Sequence, residues 1–235
     1  IAPLSASLEA ASHVEEILTA NVSDHSAIFV RTDPSEISAN TNVKITISYV
    51  RNDYYSGNSG GLRMVLLTES GHAIDESVGA PDVIIAPGNL SNTSVTVFDP
   101  SAYAITDIRV CFLCGPVGLP KQFSILVTFP PEQNVTNADL SGIPQGFDGL
   151  SLCRVDSNVV NVSLLDGSGA ESYSHVCFVL QNVQNLHAGT TGYYKIMTST
   201  IADATVMEQD LLVTKTIIIP AVMQVNTMET SSKLA

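Results

Sequence analysis

Five Asn-x-Ser/Thr triplets give this chain its clearest candidate chemistry, the attachment of N-linked glycans to asparagine amides. Such a triplet is used only on a chain that crosses a secretory pathway, and only where the acceptor is exposed. The triplets fall between apolar runs or at their ends, where a sugar could project into solvent. We therefore expect an extracellular glycoprotein with N-linked glycans at Asn21, Asn89, Asn92, Asn134 and Asn161.

The four cysteines are candidates for structural disulfide bonds, because an even number of cysteines in an oxidising compartment favours pairing. Cys153 and Cys177 lie on separate predicted strands of the second half, so a bridge between them would cross-link one domain. That pairing leaves Cys111 and Cys114 as a short loop within Cys-Phe-Leu-Cys. A redox-active pair is the alternative, but it needs a helix N-terminus to lower the thiol pKa. Zinc would need further Cys or His at short spacing, which the sequence lacks.

No residue pattern indicates an enzyme, a metal or a cofactor. The sequence contains no His-Glu-x-x-His, and no Gly-x-Ser-x-Gly occurs in a strand-turn-helix context. Residues 166–171 carry two carboxylates but lack the alternating oxygen ligands of a calcium loop, so we expect a hairpin turn there. Asp99 and Asp148 are likewise expected in turns. The histidines are isolated, at His13, His25, His72, His175 and His187.

The amino-acid composition limits the classes of binding partner that we expect for this chain. Hydrophobic residues make up 45% of the chain and charged residues only 14%, with a net charge of −13. An acidic chain without a basic stripe is repelled by nucleic acid and anionic lipid, so neither is expected as a partner. No segment reaches the roughly 18 apolar residues of a membrane span. Because the chain begins at Ile1, without Met or an apolar signal segment, we expect a processed, secreted product.

Apolar and polar residues alternate with a period of two through most of the chain, which is typical of half-buried strands. Residues 43–49, for example, place Val43, Ile45, Ile47 and Tyr49 on one face. Turn segments rich in glycine and proline separate the runs, and no helical crossover pattern intervenes. The other predicted strands are residues 62–67, 83–85, 95–98, 108–113, 123–129, 150–155, 159–165, 173–180, 193–198 and 211–219.

The predicted fold is all-β, with two antiparallel immunoglobulin-like β-sandwich domains and an N-terminal arm. A length of 235 residues suits two domains of roughly 100 residues each. We place the arm at residues 1–25, the first sandwich at 26–130, a proline-stiffened linker at 131–137 and the second sandwich, with a C-terminal strand or tail, at 138–235. Helical spacing of apolar residues allows a short helix in the arm, at Leu4, Leu8, Ala11, Val14 and Leu18.

A short internal repeat is compatible with two related domains. Val-Cys-Phe occurs at residues 110–112 and again at residues 176–178, each time after a similar strand-and-turn pattern. The spacings elsewhere disagree, so chance recurrence in β-rich sequence is the alternative.

The C-terminal segment suggests a mode of assembly. Residues 211–220 form a strong strand pattern ending at Pro220, and weaker alternation continues to Met228. The second half has about five confident strands, whereas a complete immunoglobulin-like sandwich has about seven. A strand from a neighbouring copy would close the open edge, as in β-augmentation. The donor would be the N-terminal arm or the segment after Pro220; alternatively, the tail folds back into its own sheet.

The strand pattern over residues 26–219, with DPSEISANTN at residues 33–42 and AGTTG at residues 188–192, resembles the tandem immunoglobulin-like modules of microbial extracellular fibre and adhesin proteins. The resemblance implies a structural subunit of an extracellular glycosylated filament or surface coat, a homopolymer formed by strand exchange. The alternatives are a monomeric adhesin or carbohydrate-binding module that uses Tyr54 and Tyr55, and a viral coat protein.

Overall fold

A computed structural model describes residues 5–10, 16–23, 26–30, 38, 41–48, 55–80, 82–116 and 118–222. The chain divides into two compact units, Ile1–Asp53 and Tyr54–Ala235. The predicted all-β class is confirmed, because every regular element in these ranges is a strand and nearly every pairing is antiparallel.

The first unit contains one four-stranded antiparallel sheet in the order β3-β2-β1-β4. The predicted arm therefore belongs to this sheet, and the helix considered for it is wrong where the chain is described. Alternation in SASLEA and the β-branched residues of EILTANVS favour extended backbone over helix. The strands are β1 (Ser5–Ala10), β2 (Glu16–Ser23), β3 (Ser26–Val30) and β4 (Val43–Ser48).

The second unit is built on two large sheets and three short pairs. One large sheet has the order β10-β11-β17-β13, with β14 also paired to β17, and the other has the order β15-β16-β12-β19-β20-β9. The short pairs are β5-β8, β6-β7 and β18-β21. The strands are β5 (Gly57–Asn58), β6 (Leu62–Leu67), β7 (Ala73–Ala80), β8 (Ile84–Ile85), β9 (Gly88–Asn89), β10 (Ser91–Val97), β11 (Ile105–Leu113), β12 (Phe123–Thr128), β13 (Gln133–Asn134), β14 (Asp139–Gln145), β15 (Leu150–Asp156), β16 (Val159–Asp166), β17 (His175–Asn185), β18 (Gly189–Thr190), β19 (Tyr194–Ser199), β20 (Val206–Val213) and β21 (Ile217–Ile218).

The two large sheets pack face to face around a single apolar core. Alternate residues of the central strands point inward, as the period of two requires. The β11 and β17 side chains meet those of β12, β16 and β19 in one cluster of buried residues. The central members of this cluster are Ile108, Val110, Phe112, Phe123, Ile125, Val127, Val160, Val162, Leu164, Val176, Phe178, Leu180, Tyr194 and Ile196.

The division between the two units of the structure follows Asp53 and does not fall at the predicted linker, residues 131–137. Strand β11, from the predicted first domain, pairs with β17 from the predicted second, and β12 lies between β16 and β19. The two predicted half-sandwiches are therefore interleaved in one core. Pro130 and Pro131 occupy a turn between β12 and β13, where no ladder hydrogen bond is needed.

The Val-Cys-Phe repeat also has a different meaning from the one predicted. Residues 110–112 and 176–178 are antiparallel partners in the register of β11 and β17, with Val110 opposite Phe178 and Phe112 opposite Val176. Both segments are central strands of one sheet, and each must offer two core side chains around an outward-facing cysteine. The similarity reflects this shared position.

The C-terminal strand pattern is satisfied within the chain. Strand β20 pairs with β19, and β21 pairs with β18. The predicted strand 211–219 is thus divided between two strands of its own unit, as in the alternative in which the tail folds back. Residues 223–228 lie outside the described residues.

A buried polar network joins strands β13, β17 and β19 to the turn at residues 99–101. The Tyr194 hydroxyl donates to Gln133 Oε1 at 2.8 Å, and Gln133 Nε2 donates to Asn185 Oδ1 at 3.1 Å. Asn185 Nδ2 in turn donates to the Asp99 and Ser101 carbonyls, each at 2.9 Å. Buried polar groups are costly unless paired, so this network holds its strands in a unique arrangement.

Replacing Tyr194 with Phe tests this network. Tyr194 is fully buried, so Tyr194→Phe keeps the ring but leaves Gln133 Oε1 without its donor. We expect a loss of about 1–2 kcal/mol in the free energy of unfolding, measured by denaturant titration. The matched control is Tyr193→Phe, because Tyr193 is exposed and its ring faces the Lys215 ammonium at 4.5 Å. Equal losses in both variants would contradict the role given to the network.

Candidate functional site

A disulfide joins the two central strands of the five-stranded sheet. Cys111 in β11 and Cys177 in β17 are direct cross-strand partners, with their Cα atoms 4.2 Å apart. The predicted pairings are wrong, since Cys114 and Cys153 are free thiols. Cys114 and Cys153 belong to or pack against the core, whereas Cys111 and Cys177 lie outside the core cluster. The bond spans 66 residues, and chain entropy gives such a cross-link about 4 kcal/mol.

Both free thiols are poorly ionised. Burial raises the pKa of Cys114 to about 11, against the opposing effect of a hydrogen bond from Ser174. Burial also raises the pKa of Cys153 to about 11, and the Asp139 carboxylate adds to the effect. Because the thiolate is the reactive form, neither cysteine has the character of a nucleophile.

Alkylation with iodoacetamide tests this assignment. At pH 8 the thiolate fraction of a group with a pKa near 11 is ~10⁻³, so the native protein should label slowly at Cys114 and Cys153. After denaturation without reductant, mass spectrometry should find these two cysteines modified and Cys111 and Cys177 unmodified. Modification of Cys111 or Cys177 before reduction would contradict the pairing.

A histidine and an open cleft lie beside the disulfide. His175 precedes Cys177 by two residues in β17, and its Nδ1 lies 3.4 Å from Cys177 Sγ. Cys177 also lines a cleft of about 180 Å³ with Arg109 and Ile143. The sequence analysis missed this grouping, although His-x-Cys on a strand places both side chains on one face.

A buried carboxylate lies at the edge of the core near Cys114. Glu208 is 5% exposed and its Oε2 has no hydrogen-bond partner. Burial raises the Glu208 pKa, although the Gly115 backbone N–H donates to the carboxylate and opposes the effect. A Cβ at position 115 would collide with Glu208 Oε1, so a larger residue there would have to displace the end of the Glu208 side chain.

The raised pKa predicts a pH-dependent stability. The folded chain holds the Glu208 proton more tightly than the unfolded chain, so the free energy of unfolding falls as pH rises through the raised pKa. Glu208→Gln removes this charge and should therefore raise the thermal midpoint at pH 7.5. The gain should vanish below about pH 4, where the carboxyl is neutral in both states. Glu171→Gln, at an exposed position, is the control. A pH-independent effect of Glu208→Gln would contradict this account.

The expected glycan acceptors lie in different environments. Asn89 and Asn92 are exposed, around β9 and the start of β10. Asn134 and Asn161 are half-buried, and each side-chain oxygen accepts a hydrogen bond from the hydroxyl two residues on, Thr136 or Ser163. Asn21 lies in β2. Glycan attachment at all five sites stays a prediction.

The other residues considered for chemistry hold turns. Asp99 Oδ1 accepts from the Ser101 backbone N–H at 2.9 Å, which lowers the Asp99 pKa. Asp148 Oδ1 accepts from the Ser168 hydroxyl at 2.6 Å and from the Ser168 backbone N–H, and its pKa is lowered. Tyr55 is 38% exposed, and Tyr54 lies outside the described residues. Across the described ranges, no helix has the length and apolar character to cross a bilayer.

The first unit presents an apolar surface that nothing described in that unit covers. We call this surface the β4 face; it consists of Val43, Ile45 and Ile47. Val43 and Ile47 are each 39% exposed, and Ile45 is half-buried. No residue of this unit whose burial is described is buried. The register continues the pattern, since the Cα partners of these residues in β1 are Ala10, Leu8 and Ala6.

A hairpin in the second unit shows the same feature. Met64 and Leu66 of β6 are about half exposed, and Ile74 of β7 is 63% exposed. A two-stranded hairpin is only marginally stable alone, and a sheet normally buries one face.

No family profile and no curated protein sequence matches the chain. Solved structures that resemble it weakly include two bacterial proteins. The bacterial hydrophobin BslA has a TM-score of 0.32 and 14% identity, over 55% of this chain and 98% of that one. BcpA, the major pilin subunit of Bacillus cereus, has a TM-score of 0.36 and 9% identity. The match covers 94% of this chain and 65% of the pilin chain. Both similarities are too low to assign a shared function.

Proposed function

We propose that the chain is a structural subunit of an extracellular glycosylated filament or surface coat, and that copies polymerise through strand exchange. The proposal depends on one observation, that no described residue of the first unit covers the β4 face. A single-layer sheet with an apolar face does not meet the packing requirement of a stable domain, which needs a second layer against that face. Another copy of the chain supplies such a layer at every subunit of a polymer.

Composition supports a self-assembling surface protein over a catalytic one. Only 14% of the residues are charged, about half the usual share, so few charges need to be desolvated when copies pack together. The groups in the described ranges whose pKa is raised by burial are Cys114, Cys153, Tyr194 and Glu208, and they are buried in or packed against the core of the second unit. We therefore propose no catalytic role.

Strand exchange would extend the first unit's sheet at its edge, while packing of a neighbouring copy would cover the β4 face. Strand β4 is an edge of that sheet, and an added strand would extend the ladder by backbone hydrogen bonds. Residues 206–218 are used within the second unit, and strands β1 and β2 of the N-terminal arm are used within the first unit's sheet, so of the two donors considered the residues after Pro220 are the better candidate. Val222 is also 91% exposed, and the sequence that follows it alternates.

Glycans suit this role at the exposed acceptors. Asn89 and Asn92 lie on the surface of the second unit, where a sugar would raise solubility without entering the core. Low surface charge makes such a contribution useful, because few ionised groups keep the subunit hydrated.

A paired substitution on β4 tests the proposed contact. Ile47 belongs to the β4 face, and Thr46 lies next to it on the opposite, polar face of the same strand. In Ile47→Asp a charge must be buried on assembly, so we expect the critical concentration, measured by light scattering and electron microscopy, to rise by about tenfold or more. Thr46→Asp adds the same charge to the same strand and should assemble like the parent.

A second variant tests the proposed strand donor independently of the β4 face. Deletion of residues 221–235 should abolish end-to-end assembly while leaving the unfolding transition of the second unit unchanged. A parent chain that stays monomeric at all concentrations would contradict the function, and equal effects of Ile47→Asp and Thr46→Asp would contradict the role of the β4 face.

A further inference from the structure

Three residues of types that can ligate a metal ion lie together on the outer face of the five-stranded sheet. The ligand atoms of Cys111, His175 and Cys177 all lie within 4.8 Å of one another. Strand geometry produces this arrangement, because residues two apart on β17 share a face and Cys111 is the cross-strand partner of Cys177. Thiolate sulfur and imidazole nitrogen are the ligands preferred by Zn²⁺ and Cu⁺.

We propose that reduction of the Cys111–Cys177 disulfide creates a binding site for a thiophilic d¹⁰ cation such as Zn²⁺, held by two thiolates and His175 Nδ1. In the oxidised protein the two sulfur atoms are bonded to each other and offer no thiolate. The site therefore exists in one redox state only. The proposal does not depend on the filament or coat function.

The chemistry requires a two-electron reductant of the disulfide, and with a thiol as that reductant the reduction balances in two steps. One thiolate of the reductant attacks a sulfur of the disulfide, and a second reductant thiol resolves the mixed disulfide. The protein S–S bond is broken, two protein thiols form, and the reductant leaves as its own disulfide. Zn²⁺ then displaces one proton from each protein thiol to solvent, so its affinity increases with pH.

The surroundings of the three ligands suit a cation that keeps one open position. Cys177 lines the cleft of about 180 Å³ together with Arg109, Ser141 and Gln145. Zinc in proteins is usually four-coordinate, and an open cleft admits a water molecule as the fourth ligand.

The other two cysteines do not complete this site. Cys114 is fully buried in the core cluster, and Cys153 packs against that cluster from β15 of the other large sheet. Both are therefore replaced in the test protein, so that metal binding by their thiols is removed. The test protein is the full chain carrying Cys114→Ser and Cys153→Ser.

The experiment is a titration with Zn²⁺, and with Co²⁺ as a spectroscopic probe, before and after reduction with a phosphine under anaerobic conditions. We expect one metal ion per reduced chain, a thiolate-to-cobalt charge-transfer band and no binding by the oxidised chain. His175→Ala should weaken the binding of Zn²⁺ by about tenfold or more. His187→Ala, at an exposed position, should leave it unchanged.

Several results would overturn the proposal. They are equal binding by the oxidised and reduced chains, equal losses in the two histidine variants, or a cobalt complex without the charge-transfer band. Unfolding of the reduced chain that Zn²⁺ does not reverse, followed by circular dichroism, would also overturn it, because the ligands would then not be held together.

Discussion

Mutual burial of two apolar sheet faces holds the second unit together. Strands β11 and β17 supply one face of the core, and β12, β16 and β19 supply the other. Each buried aliphatic or aromatic side chain contributes about 1.5–3 kcal/mol relative to exposure in water. These two packed sheets also position the disulfide, the polar network around Asn185 and the buried Glu208.

The first unit lacks such a second layer among its described residues. Strand β4 has the alternation of a half-buried strand, and the β4 face has the residue types of a core, but Val43 and Ile47 remain exposed and Ile45 is only half-buried. Among the described residues, the packing requirement that the second unit meets is therefore not met by the first unit. Association with another copy would meet this requirement without any change of fold.

Local patterns predicted elements well and long-range partners poorly. The prediction of a strand at residues 62–67 is confirmed by β6, and the strand at residues 43–49 is confirmed within one residue by β4. Alternation reports which residues share a face, but it does not report which strands are neighbours. The predicted position of the domain boundary therefore differs from the structure, because β12 and β16 pair across the predicted linker.

The candidate site shows the same limit. Four cysteines allow three pairings, and spacing alone favoured the wrong ones, whereas the choice depends on which cysteines face away from the core. His175 could have been connected to Cys177 from the sequence, since the two lie two residues apart in a predicted strand. The proximity of these two residues to Cys111 could not be predicted from the sequence, because it depends on the pairing of β11 with β17.

Hydrogen–deuterium exchange on the intact assembled material tests the central claim most directly. The comparison is between the assembled protein and the dispersed subunit, read at the amides of Val43–Ser48. If the β4 face is covered and its edge extended by a neighbouring copy, exchange at these amides slows on assembly while the β11 and β17 amides are unchanged. Equal exchange at Val43–Ser48 in the two states would contradict the account.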